Sequence, residues 1–438
     1  MRTKFLIIIG IILSGLAVGG ILRAMTNHAP DAEVALPKPS ILDAKATLAD
    51  RQLQAAHTTI ERAPADPQGY NQLCVAFMKK ARETGDFSFN AKAETALKRS
   101  FELSASAENY DAIKLKAALL LTYHRFGEAL EVARRAQDMR PHDPMNYGAI
   151  TDALVELGDY QAATEAAQTM MDLRPDTASY ARVSYLRALY GDTEGAIESM
   201  RAAVESASSR DPESGAWCRV HLGDELMNAG QRVAAEREFD SALAIFPDYH
   251  LAFAGKARAR LAAGDADAAI EFYQRAWERV PLPETAIALG DLYTKLGRAE
   301  EAKKQYDLVE FIEGTGAAAG TYSRQLALFY ADHDVKLDEA LAIACRERAA
   351  RADIYTSDAL AWCLYKKGDL AGAKRAIDEA LRLGTRDARI HYHAGMIEQA
   401  LGNRRDAAKH LQLALKINPS FDILHADVAR QTLRAIAA

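Results

Sequence analysis

The stretch Pro144–Thr177, PMNYGAITDALVELGDYQAATEAAQTMMDLRPDT, constrains this chain more than any other feature. Tyr147, Ile150, Ala153, Leu154 and Leu157 fall at spacings of three and four, so they share one helical face. Gly158 ends that helix, because glycine takes the left-handed cap conformation at no steric cost. Asp159 follows with a carboxylate suited to cap the next helix start. Tyr160, Ala163, Ala167, Met170, Met171 and Leu173 then form a second apolar face, and Pro175 closes the unit. Thr151, Ala163 and Ala167 are small, as two closely crossing helices require. One such hairpin cannot bury its own faces, so it has to stack on copies of itself.

The copies are present. Ala216–Tyr249 repeats the spacing with Leu222, Gly223, Leu226, Gly230, Ala235, Phe239, Ala242 and Pro247. Ala388–Ser420 does so with Ala394, Gly395, Leu401, Gly402, Ala407, Leu411, Ala414 and Pro419. Further copies begin at His250, Pro283 and Ile354. Three are weaker. Tyr110–Pro141 has His124 where the turn glycine belongs, Thr177–Asp211 has a lengthened exit, and Thr321–Arg351 has an irregular turn around Asp332–Lys336. A first copy near Gln68–Ser104 carries an insertion before Ala93.

This pattern over about 34 residues resembles the tetratricopeptide repeat family. The resemblance implies an all-α fold: a right-handed α-solenoid of about ten helix–turn–helix repeats over residues 67–420, with a C-terminal capping helix over 421–438. It also implies that the first helix of each hairpin lines an inner groove. Projecting those helices inward in the family register gives Tyr185, Trp217, Asp224, Arg258, Lys295, Phe329, Tyr355, Trp362, Tyr365, Lys366, Arg389 and Tyr392 as candidate ligand-binding residues. Tyr355, Trp362 and Tyr365 share a face of one helix, and aromatics beside charges suit an extended peptide or a partner helix. The alternative is that Trp362 and Tyr365 pack on the next repeat. The basic clamp with which some members of the family hold a carboxylate tail has no counterpart here.

The N-terminus is of another kind. Phe5–Leu22 carries no charge and follows Arg2 and Lys4, so residues 1–25 read as a signal anchor or a cleavable signal peptide. The early basic residues favour an N-terminus inside and repeats on the far side. In a bacterium this predicts inner-membrane attachment with the repeats facing the periplasm, or export to the periplasm if the segment is cleaved. Residues 26–40, with Pro30, Pro37 and Pro39, read as a linker, and 41–66 as a lead-in helix.

The formal charge of −6 over 438 residues, with no basic patch, argues against nucleic acid as the main partner. No catalytic set, metal site or cofactor motif emerges. Cys74, Cys218, Cys345 and Cys363 lack metal-like spacing, although Cys345 and Cys363 belong to adjacent repeats where a bridge is conceivable. His391 and His393 are two residues apart, which on a helix sends them in different directions. Gly314–Gly320, GTGAAAG, lacks the Lys-Ser/Thr of a phosphate loop and reads as a flexible connection. The function expected is therefore that of a non-catalytic scaffold or adaptor binding a protein or peptide in its concave groove. An accessory subunit of a cell-envelope assembly or secretion complex is the alternative.

Overall fold

The computed structural model describes residues 46–104, 108–318 and 324–437. Among the described residues there are 22 α-helices and no strand, an all-α repeat solenoid. They are α1 Leu48–Arg62, α2 Pro67–Thr84, α3 Ser88–Leu103, α4 Tyr110–Thr122, α5 Phe126–Met139, α6 Pro144–Glu156, α7 Tyr160–Leu173 and α8 Thr177–Leu189. Next come α9 Thr193–Ser206, α10 Pro212–Asn228, α11 Arg232–Ile245, α12 His250–Ala262, α13 Ala266–Arg279, α14 Pro283–Lys295 and α15 Ala299–Ala318. The last are α16 Arg324–Asp332, α17 Leu337–Ala350, α18 Ile354–Lys366, α19 Leu370–Ala380, α20 Ala388–Ala400, α21 Arg404–Ile417 and α22 His425–Ala437.

Acidic caps punctuate this series. In the Gly-Asp turns, Asp159, Asp192, Asp265 and Asp369 each accept a backbone N–H from three residues on. At the starts of the preceding or following helices, Asp143, Asp176, Asp353 and Asp387 accept an N–H from two residues on, and Asp211 from three. Each cap satisfies a donor the helix itself cannot, typically for about 1 kcal/mol. Pro67, Pro144, Pro212 and Pro283 open helices, where the missing N–H is not needed.

The chain divides into two compact units: Met1–Asn109 with Tyr306–Tyr322, and Tyr110–Gln305 with Ser323–Ala438. In the first, Leu73, Cys74, Phe77 and Leu97 are buried. A closed polar triangle sits beside them: Asn71 donates to Asn109 (3.0 Å), Asn109 to Ser100 (2.9 Å) and Ser100 to Asn71 (2.7 Å). Every member has a partner, so these groups are buried without an unmet hydrogen bond among them.

In the second unit the small positions of the repeat carry the close crossings. Thr151, Ala163, Ala167 and Ala235 are all buried. Gly223 on α10 and Gly255 on α12 flank the Phe239 ring of α11, and a Cβ on either would come within 2.4 Å of that ring. The Leu-Gly pair of the repeat is thus a slot for the aromatic of the next helix.

The second unit also closes on itself, which the repeat pattern does not announce. The α6–α7 turn meets the segment between α17 and α18, about 195 residues later in the chain. Ala352 N–H donates to the Glu156 carbonyl (2.9 Å) and Ile354 N–H to the Tyr160 hydroxyl (2.8 Å). Arg351 pairs with Glu156 (3.2 Å), and Arg382 donates to the Gly158 carbonyl (3.1 Å). Gly158 has φ +77°, and a Cβ there would lie 2.5 Å from the Ala352 carbonyl. Gly191 meets Gly384 in the same way, one repeat further along both strips. One apolar cluster, holding Tyr160, Leu186, Ile354 and Ile377, spans the join.

Several expectations change in detail. The helix α15 runs to Ala318, so the first part of GTGAAAG is helical; a glycine costs only about 1 kcal/mol in a helix, and alanines favour it. The terminal helix starts at His425, after a turn in which Asp422 accepts the N–H groups of Leu424 and His425. His124, in place of a turn glycine, takes the left-handed conformation at φ 56°, as do Asp334 and Lys336 in the irregular turn. All four cysteines are free, with only Cys345 exposed. The apolar run Phe5–Leu22 and the proline-bearing linker lie outside the described residues. Among the described residues no helix is long and apolar enough to cross a membrane.

Candidate protein-binding face

The first helices of the hairpins in the second unit carry a ladder of cross-repeat ion pairs. Arg182 of α8 grips Asp152 of α6 through two nitrogens (2.8 and 2.6 Å). Arg258 of α12 pairs with Asp224 of α10. His333, just past α16, faces Asp291 of α14 at 2.9 Å, and Lys366 of α18 reaches Asp334 at 2.8 Å. Arg389 of α20 pairs with Asp332 of α16. Each acid of one hairpin is answered by a basic side chain on a later one. The expected site residues Asp224, Arg258, Lys366 and Arg389 are therefore already engaged within the fold. Lys295 is engaged as well, with Asp427 (2.8 Å) and the Ile423 carbonyl (3.0 Å) of the capping region.

The aromatic residues expected on this face separate into two groups. Trp362 is 1% exposed, Tyr392 2% and Phe329 4%, so these three are core residues and not open wall. Trp362 stacks on His393 (4.2 Å between centroids) and Tyr365 (4.9 Å), and its indole N–H donates to Asp332 (2.8 Å). Tyr392 packs on Phe421 and His425 from the capping region. Phe329 lies against His333. The packing role of Trp362 and Tyr365 is the one the structure supports. His393 is buried and pairs with Asp358 (2.8 Å), while His391 faces His410 Nδ1 to Nδ1 at 3.0 Å.

Tyr185, Trp217 and Tyr355 remain partly open. Trp217 rests on His221, 4.0 Å between centroids. Arg324 stands over the ring of Tyr355. Tyr185 leaves 41% of its surface uncovered. It borders a cavity of about 250 Å³. Leu121, His124 and Phe126 from the α4–α5 region form one side of this cavity, and Thr151, Asp152, Val155 and Glu156 of α6 the floor. Arg182 and Leu186 of α8 complete the near wall, and Arg351, from the far strip of the join, forms the remaining edge. Leu121, Phe126, Val155 and Leu186 supply the apolar part of the lining, and the pairs Asp152–Arg182 and Glu156–Arg351 most of the polar part. A neutral apolar side chain fits such a space, since both charge pairs are satisfied without it.

Charge inside the unit is not evenly compensated. Burial, and then Asp224 and Asp387, push the Glu225 carboxyl up to about 7. Burial, then the nearby Asp353, raise the Glu156 carboxyl despite Arg351. The surroundings of the His124 ring, and then the cation Arg351, lower this imidazole. Sequence reasoning found Tyr185 but missed Glu156, His124 and Arg351. Two of these sit at turns or helix ends, and the third is brought in by the distant join; no local spacing marks them.

Family models described as tetratricopeptide repeat match residues 226–287, 283–309 and 359–420. No curated protein is similar enough to match. Among solved structures, PilW, a widely conserved type IV pilus biogenesis factor, is 16% identical, covers 46% of this chain and 93% of its own, and gives a TM-score of 0.40. Yeast Tom70 is 13% identical over 88% of this chain and 84% of its own, with a TM-score of 0.39. The human IFIT1 dimer is 12% identical over 87% and 96%, with a TM-score of 0.44. None of these likenesses bears on what this chain binds. The hairpin spacing, the small-residue crossings and the three matched stretches together make this chain a member of the tetratricopeptide repeat family.

Proposed function

We propose that this protein is a non-catalytic scaffold that holds a segment of another protein against the inner wall of its second unit. The observation that carries this reading is the cavity beside Tyr185, a recess whose apolar lining is flanked by the pairs Asp152–Arg182 and Glu156–Arg351. An apolar side chain of the partner seated there acts as the anchor, with Tyr185 giving flat contact area beside it. The uncharged run Phe5–Leu22 supports a location at the cell envelope, tethered or exported. That same run favours, as a second reading, a fixed place in an envelope assembly or secretion complex over capture of a mobile peptide.

The test is capture from native membranes by the full chain, followed by mass spectrometry, with Tyr185→Ala alongside. The variant is expected to lose at least tenfold of the captured partner while its helical circular dichroism is unchanged. Equal capture by both proteins overturns the assignment of this cavity. Co-purification in detergent at fixed stoichiometry supports the complex subunit.

A further inference from the structure

We propose that the second unit is a latched coil: the join between the α6–α7 turn and the α17–α18 segment parts as one element while the helices on both sides stay folded, and this parting opens the cavity beside Tyr185. The inference rests on the reading of that cavity as a partner site, but its test does not.

Four features carry it. First, the backbone groups that make the latch are helix-end groups. Glu156 is the last residue of α6, and Ala352 lies in the link before α18, so neither the Glu156 carbonyl nor the Ala352 N–H belongs to a helix interior. Ile354 is the first residue of α18, and its N–H is held by the Tyr160 hydroxyl. Parting the join therefore breaks no intrahelical hydrogen bond, and each freed group meets water. Second, among the described residues the only side chain of the far strip on the cavity is Arg351, so separation of the strips removes one wall and leaves the other three in place. Third, the fit at the turn is tight and depends on one bare Cα: Gly158 lies against the Ala352 carbonyl and its own carbonyl takes Arg382. Fourth, the closed state is opposed from within. Glu156 is brought near Asp353 as well as Arg351, and burial with that second carboxylate disfavours its charge. The apolar cluster across the join holds the latch shut in the resting protein.

Hydrogen exchange on the full chain tests this. In the native protein the amides of Ala352 and Ile354 are expected to exchange about 100-fold faster than those in the middle of α6 and α18, as a local opening does. Gly158→Ala places a methyl against the Ala352 carbonyl and is expected to speed exchange of those two amides about tenfold more, with helix-interior amides unchanged. If that variant fails to fold, Tyr160→Phe, which removes only the hydroxyl that accepts the Ile354 N–H, is expected to speed exchange at Ile354 and Ala352 together, because the join parts as one element. Exchange of Ala352 and Ile354 at the rate of the helix interiors in the native protein overturns the latch. So does a folded variant with unaltered exchange at those amides. Because no partner is present, either result leaves the capture experiment on Tyr185 to be judged separately.

Discussion

Tyr185 and Trp362 occupy comparable places on first helices of their hairpins, and both were expected on the inner wall. Tyr185 is 41% exposed and Trp362 is 1% exposed. The difference lies in what stands opposite. Trp362 is met by Tyr365, by His393 and Tyr392 of the next first helix, and by His425 of the capping helix. Tyr185 borders a recess whose near neighbours are the short Thr151 and the paired Asp152 and Arg182. Helical register fixes the direction of a side chain. Whether that direction leads to solvent or to a neighbour depends on the following repeat and on how the coil ends.

Breaking the packed region is expected to have the largest effect. Trp362→Ala removes a buried indole from a filled space and should cost about 3–5 kcal/mol in urea unfolding. Asp332→Asn keeps the shape but withdraws the charge that Arg389 uses and weakens the acceptor for the Trp362 N–H. Because Arg389 is still partly open to water, the expected loss is smaller, about 1–2 kcal/mol. The open side is sharpened by pH. The Glu225 carboxyl ordinarily titrates near 4.5 and in the fold near 7, so the fold favours its neutral form. Its contribution is fully present below about 4.5 and is lost as pH rises towards 7. Native protein minus Glu225→Gln, followed by thermal unfolding between pH 4 and 8, should show that loss; a flat difference contradicts the charge environment assigned to Glu225.

The repeat was legible because its physics is local. Helical spacing, turn glycines, acidic caps and small crossing residues all lie within one hairpin, and Gly223 with Phe239 shows the same signature in the fold. The first-helix assignment also put Asp224 and Arg258 on the same wall, where they pair across repeats. What stayed hidden is long-range. The meeting of Glu156 with Arg351 spans 195 residues and depends on small rotations added over many hairpins. The burial of Trp362 depends on residues 30 and more positions away, including Asp332 and the capping helix. No single hairpin contains that information.

Side-by-side urea unfolding of Tyr185→Ala and Trp362→Ala tests the contrast most directly. The expected result is a loss of less than about 1 kcal/mol for Tyr185→Ala against about 3–5 kcal/mol for Trp362→Ala. Equal losses, or the larger one at Tyr185, would contradict the division of the inner wall into a packed end and an open one.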